Sequence, residues 1–138
     1  MKTKHEPLNQ TDVITSVLII DNNDVDLFIN QKILKNFGIK NIQSFKNATD
    51  ALGYLSKTDV YYQFILVDIY LPLTTGFEFV DEFIELGLHK KQGEVCLLSA
   101  SINPSDKEQT ADRHLKFIEK PLTMDKLFTT EVLSINTY

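Results

Sequence analysis

Four apolar runs in this sequence end on residues able to do chemistry. Ser16 to Asp21 ends in Asp21-Asn22, and Phe64-Ile65-Leu66-Val67 ends in Asp68. Glu94 to Ser99 ends in Ser99-Ala100, and Leu115 to Glu119 runs into Lys120-Pro121. Singly, each has a bland reading: a strand-terminal Asp is commonly a turn or cap residue, a serine a helix cap, a lysine a solvated charge. Together, two carboxylates, an amide, a hydroxyl and an ammonium suit phosphoryl transfer to a carboxylate. Asp68 would be the nucleophile, forming an acyl phosphate. The equatorial oxygens of the transition state then need neutralising, because positioning and electrostatics supply most of the catalysis. Lys120 would pair with one oxygen and Ser99 would donate to another. A divalent cation held by Asp21, Asp68 and a loop carbonyl would add charge, and oxygen-only ligands favour magnesium or manganese.

Such residues meet only if the elements carrying them are parallel and adjacent. Apolar strand-like runs alternate with amphipathic stretches, which predicts a parallel sheet of five strands with five helices on its two faces. Parallel strands joined by right-handed crossovers put all their C-terminal ends on one edge, where ligands bind in such folds. Val25, Ile29, Ile33 and Phe37, with Leu34 beside them, predict the inner face of a first helix over 24–37, stopped by Gly38. Asp24 is its expected cap. Asn47 should cap a second helix with Ala48, Ala51, Leu52 and Leu55 inward. Phe79, Val80, Phe83 and Ile84 should line a third that gives out near Gly87. Asn103 and Pro104 open a fourth helix with Ala111 as its only apolar contact, so it should be the least stable element. Thr123 should cap a last helix bearing Leu127, Phe128, Val132 and Leu133.

Composition narrows the function. The chain has 138 residues, which fits one domain and leaves no room for a separate output domain. Residues 1 to 14 read as a mobile tail and 15–138 as the domain. Fourteen basic against 19 acidic side chains, a net charge of -5, argue against a nucleic-acid or anionic-membrane binder. The apolar runs are too short to cross a bilayer, and no apolar signal core follows the N-terminus. A cytoplasmic protein is expected. The single Cys96 reads as a core residue, and His5, His89 and His114 as solvent-exposed. The Asp24, Asp26 and Lys90-Lys91 charges read as solvated faces, and Tyr61-Tyr62 as packing at the opposite end of the sheet.

The order and separation of these residues resemble the receiver domain of two-component response regulators, over about residues 16 to 134. Ile20-Asp21-Asn22 is similar to the family's acidic pair after strand one. Leu66-Val67-Asp68, with Pro72 and Gly76 following, is similar to the phosphoacceptor and its loop. Leu98-Ser99-Ala100 and Phe117-Ile118-Glu119-Lys120-Pro121 are similar to the switch hydroxyl, the switch aromatic and the Lys-Pro pair. The resemblance implies a doubly wound, flavodoxin-like α/β fold with strand order 2-1-3-4-5. It implies that Asp68 accepts phosphate from a histidine kinase or histidine phosphotransfer protein. Magnesium would be held by Asp21, Asn22, Asp68 and the Tyr70 backbone carbonyl, with Asp21 reaching it through water. Ser99 and Phe117 would then move, altering the surface of helix four, strand five and helix five. The expected protein is therefore a bacterial, stand-alone receiver, a monomer or weak dimer, acting on an unidentified downstream protein. It would not be an enzyme beyond its own phosphorylation and dephosphorylation.

One position departs from the family pattern. Asn22 stands where a second acid is usual, and an amide oxygen brings no charge. Two carboxylates and one lysine leave a formal -1 where the family has -2, so magnesium binding and phosphorylation should be weaker and slower than usual. Asp24 is a possible substitute acid. An alternative reading follows from Asn22: a receiver-shaped interaction module that no longer uses phosphate. Tyr70 and Ser101 should flank the path of an attacking water and tune the lifetime of the acyl phosphate. Phe117 lacks a hydroxyl, so an inward position costs it little and shifts the signal towards Ser99 and the polar fourth helix. An aspartate-dependent phosphatase would need an acid where Tyr70 stands, and a flavodoxin a Ser/Thr/Gly-rich loop where Asp21-Asn22-Asn23-Asp24 stands. Neither fits.

Overall fold

The structure, a computed structural model, describes residues 14–129. Its five parallel strands are β1 (Ser16–Ile20), β2 (Asn41–Phe45), β3 (Phe64–Asp68), β4 (Glu94–Ser99) and β5 (Lys116–Glu119). They lie in the order β2-β1-β3-β4-β5. Five α-helices join or follow them: α1 (Asp24–Phe37), α2 (Ala48–Lys57), α3 (Gly76–Glu85), α4 (Pro104–Asp112) and α5 (Met124–Thr129). A single 3-10 turn, Leu88–Lys90, separates α3 from β4. This is the doubly wound α/β fold expected from the sequence.

Side-chain alternation along the strands divides the core in two. Leu18 and Ile20 of β1 and Ile65 and Val67 of β3 face one way, onto Ala51 and Leu55 of α2 and Phe79 and Phe83 of α3. Val17, Ile19, Phe64 and Leu66 face the other way, onto Leu27 and Leu34 of α1 and Leu127 and Phe128 of α5. β1 and β3 are buried throughout, the pattern of a parallel sheet covered on both faces. Ile20 pairs with Val67, Asp68 with Leu98, and Ser99 with Glu119. That register brings the C-terminal ends of β1, β3, β4 and β5 level along one edge.

Three helices differ from expectation in their faces. In α1 the buried residues are Leu27, Asn30 and Leu34, whereas Val25, Ile29 and Phe37 are exposed, as is Phe28. A four-residue spacing drifts about 40° per step on a helix of 3.6 residues per turn, so the stripe winds off the core. The seven-residue pair Leu27–Leu34 stays on it. Its cap is Asn23, whose side chain accepts from the Asp26 N–H, not Asp24. Ile84 of α3 is likewise exposed. α4 has the expected Asn103 cap and Pro at its start, but it buries Asp106 and Thr110 as well as Ala111. α2 buries its four predicted residues.

Further down the chain, Cys96 is buried, Tyr62 is fully buried while Tyr61 is exposed, and His114 is exposed. His89 is partly covered, not exposed. Ile14 is buried in the core and Thr15 donates its N–H to the Gln63 side chain at 2.5 Å, so the packed domain already includes the last residue of the expected tail. The rest of that tail, with His5, and the residues Val132 and Leu133 lie outside the described residues.

Candidate functional site

Each site residue reaches the strand edge because its strand ends there. Asp21 follows β1 with no exposed surface, and its Oδ1 accepts from the Asn23 N–H at 2.9 Å. Asp68 closes β3, 8% exposed, with Oδ1 accepting from the Tyr70 N–H at 3.2 Å. Lys120 arrives from the end of β5, where its N–H donates to Ser99 O at 2.8 Å. The following Lys120–Pro121 peptide bond is cis.

The Lys120 ammonium is the hub. Its Nζ lies 2.8 Å from Asp21 Oδ2, 3.2 Å from Asp68 Oδ2 and 2.8 Å from Asp26 Oδ2. Three N–H donors therefore meet three carboxylates. Burial works against the Lys120 charge, but the hydrogen bonds it donates to Asp21 and Asp26 outweigh that and hold the ammonium well above its ordinary pKa. Burial raises the Asp68 pKa, aided by the Asp21 charge and opposed by Lys120. The nucleophile candidate is thus a desolvated carboxylate kept beside a permanent cation.

The loop after β3 is held tightly. The Gly76 N–H donates to Ile69 O at 2.7 Å, and a Cβ on Gly76 would stand 2.6 Å from the Asp68 carbonyl oxygen. No side chain fits there, which gives the Asp68-to-Gly76 spacing a physical reason. Thr75 and Glu78 form a capping box that starts α3 directly behind the loop. Leu73 projects from the loop fully into solvent in the left-handed region, φ 68°.

Ser99 is buried, and its hydroxyl donates to Ser101 O at 2.6 Å. Ser101 and Asn22 are exposed, and Phe117 is partly buried against the larger core. The Tyr70 ring is about half exposed, yet its hydroxyl donates to the Asp106 carboxylate on α4. Asp21, Asp68 and Lys120 are brought into direct contact. Asp24 is not part of the set, because it pairs with Lys46 at 2.6 Å on the surface. Asp26 and Asp106 were missed in the sequence. Asp26 read as a solvated charge, because no local pattern shows that it turns back to Lys120, 94 positions away. Asp106 carries no local signal of its contact with a loop 36 residues away.

An all-oxygen donor set of Asp21, Asp68, the Asn22 amide and the Tyr70 carbonyl fits a hard divalent cation in ligand type. It contains two carboxylates, and among the described residues no group of three or more His, Cys, Asp or Glu is arranged to hold a metal ion. No helix among them is long and apolar enough to cross a membrane.

Residues 17–130 match the family model of the response regulator receiver domain. "Two-component response regulator 24" of Arabidopsis thaliana is 31% identical over 117 residues, covering 83% of this chain and 79% of that protein. A two-component response regulator from Cytophaga hutchinsonii is 32% identical, with TM-score 0.72 over 83% of this chain and 91% of that one. The receiver domain of the Saccharomyces cerevisiae response regulator Ssk1, solved with the histidine phosphotransfer signaling protein Ypd1, appears in a match with TM-score 0.67. That match has 20% identity and covers 84% and 86% of the two chains. The chain belongs to the response regulator receiver domain family, whose members are phosphoacceptor domains of two-component signalling. A plant relative beside a bacterial one means that this likeness does not fix a bacterial source.

Proposed function

We propose that this receiver accepts a phosphoryl group on Asp68 from a histidine kinase or histidine phosphotransfer protein and signals through its own surface. The observation that carries the proposal is the contact of Lys120 Nζ with both Asp68 and Asp21 at the strand edge. An Asp68 oxygen attacks phosphorus, the P–N bond of the donor phosphohistidine breaks, and an acyl phosphate remains. Lys120 turns an N–H from Asp68 to a phosphoryl oxygen. The Ser99 hydroxyl exchanges its bond to Ser101 O for a second phosphoryl oxygen. Magnesium, when bound, supplies positive charge to the phosphoryl oxygens, and Asp21, Asn22, Asp68 and the Tyr70 carbonyl would hold it. The neutral Asn22 makes that set weaker than one with a further carboxylate.

Docking of the phosphate donor fits the exposed apolar side chains of α1. Val25, Phe28 and Ile29 are 64%, 67% and 42% exposed and begin immediately after the Asp21–Asp24 loop. Scattered exposed apolar residues are ordinary, but a group beside the chemistry suits a partner surface. Output to an unidentified protein would run through α4, β5 and α5 as Ser99 and Phe117 shift. α4 has little apolar burial to hold it in one place.

Incubation with acetyl phosphate and magnesium, followed by intact-mass measurement, tests the proposal. A single phosphoryl adduct on wild type, absent in Asp68→Ala, is expected. No adduct on folded wild type would favour the second reading, which Asn22 motivates: an interaction module that works without phosphate.

A further inference from the structure

Asn22 removes a carboxylate from the site, and Asp26 brings one back from a different element. Asp26 is the third residue of α1, 94 positions from Lys120, and its Oδ2 lies 2.8 Å from the Lys120 Nζ. An acid at this position of a helix ordinarily reaches back to the backbone N–H of the cap residue. Here that N–H, on Asn23, is already taken by Asp21 Oδ1 at 2.9 Å. Asp26 is left free to turn inward, and it stays close to the helix N-terminus, where a carboxylate is favoured. Its side chain is also the most accessible of the three carboxylates, 35% exposed against none for the Asp21 side chain and 11% for the Asp68 side chain.

We infer that Asp26 is a positioning residue for Lys120 and supplies the site charge that Asn22 lacks. With Asp26 counted, three carboxylates and one ammonium leave the site at a formal -2. When Lys120 turns one N–H to an incoming phosphoryl oxygen, Asp21 and Asp26 retain the other two and keep the side chain aimed at Asp68. The inference rests on the proposed phosphoacceptor reading for its purpose, but not for its geometry.

The test uses the whole chain, with nitrogen NMR of the Lys120 ammonium in metal-free protein, magnesium titration, and labelling by acetyl phosphate. Three variants are compared: Asp26→Asn, Asp26→Glu as the charge-keeping control, and the exchange Asn22→Asp/Asp26→Asn. Losing one charge-assisted hydrogen bond should speed proton exchange of the ammonium on the order of tenfold in Asp26→Asn. Magnesium affinity should fall by a similar factor, while Asp26→Glu stays close to wild type. The exchange variant should recover the magnesium affinity but not the Lys120 protection. Unchanged Lys120 exchange in a folded Asp26→Asn protein overturns the inference. So does an exchange variant that binds magnesium no better than Asp26→Asn. If instead Lys120 responds as expected and wild type takes no phosphate, Asp26 keeps its positioning role and the phosphoacceptor reading fails.

Discussion

The Tyr70 hydroxyl donates a hydrogen bond to the carboxylate of Asp106, joining the loop behind Asp68 to the first turn of α4. Asp106 also receives the Asn103 N–H and has its own N–H capped by Asn103 Oδ1 at 2.7 Å. The bond thus runs from the residue two past Asp68 to the residue that fixes the start of the most polar helix. The bond fixes where the Tyr70 ring stands, beside the path on which it is expected to tune the lifetime of an acyl phosphate.

Tyr70→Phe removes that bond and keeps the ring. Stability should fall by about 1 kcal/mol, and backbone amides of α4 should exchange faster while those of α3 do not. The bond to Asp106 raises the Tyr70 pKa. Its stabilising effect is therefore whole below the ordinary tyrosine pKa and is lost as pH rises through the raised value. Hydrogen exchange followed by mass spectrometry reads the first effect, and ultraviolet titration the second.

Gly76→Ala places a methyl group 2.6 Å from the Asp68 carbonyl oxygen, which is backbone and cannot swing aside. A loss of roughly 1–3 kcal/mol in urea unfolding is expected, together with slower labelling of Asp68. The helix-favouring nature of alanine makes the opposite sign the default for an unhindered helical glycine, so the direction itself is diagnostic.

Cys96 should be inert in the native protein. Burial pushes its thiol up to about 12, so almost none is thiolate at pH 8. Iodoacetamide should label it only after unfolding. Because the unfolded thiol ionises at lower pH than the native one, stability should decline as pH rises above about 9. Labelling of native protein at the rate of a free thiol would contradict this.

Arg113 ties the end of α4 to α3 with two bonds to Asp81, of 2.9 and 2.8 Å, while its guanidinium lies 5.1 Å from the Phe77 ring centroid. Asp81 is more than half exposed, so Asp81→Asn should cost under about 1 kcal/mol and less in high salt. Arg113→Ala should cost more, because the ring contact goes too. The guanidinium holds the Asp81 carboxyl below its ordinary pKa. The contribution is present above the unfolded carboxyl pKa and fades as pH falls through the native value. Urea denaturation across pH and salt measures both.

What could be read without coordinates was what chain order carries. Asp21, Asp68, Ser99 and Lys120 each end an apolar run, and parallel strands in register must bring such ends level. The inner face of α2 was legible because its four apolar residues fill adjacent turns. The face of α1 was not, because Val25, Ile29 and Phe37 offer a competing stripe to Leu27 and Leu34, and their four-residue spacing winds off the core that the seven-residue pair stays on. Asp26 was hidden for a related reason. Its direction depends on Asn23, and not Asp24, ending the loop and on Asp21 satisfying the Asn23 N–H. The Tyr70–Asp106 bond depends on where α4 sits, which no local pattern specifies.

The central claim is that Asp68 is the group that takes phosphate. Wild-type protein treated with acetyl phosphate and magnesium, reduced with borohydride and digested, should show the acyl phosphate converted to homoserine at position 68, with the yield falling sharply in Lys120→Ala. Modification at another acid, or an unmodified Asp68 in folded protein, would contradict the account.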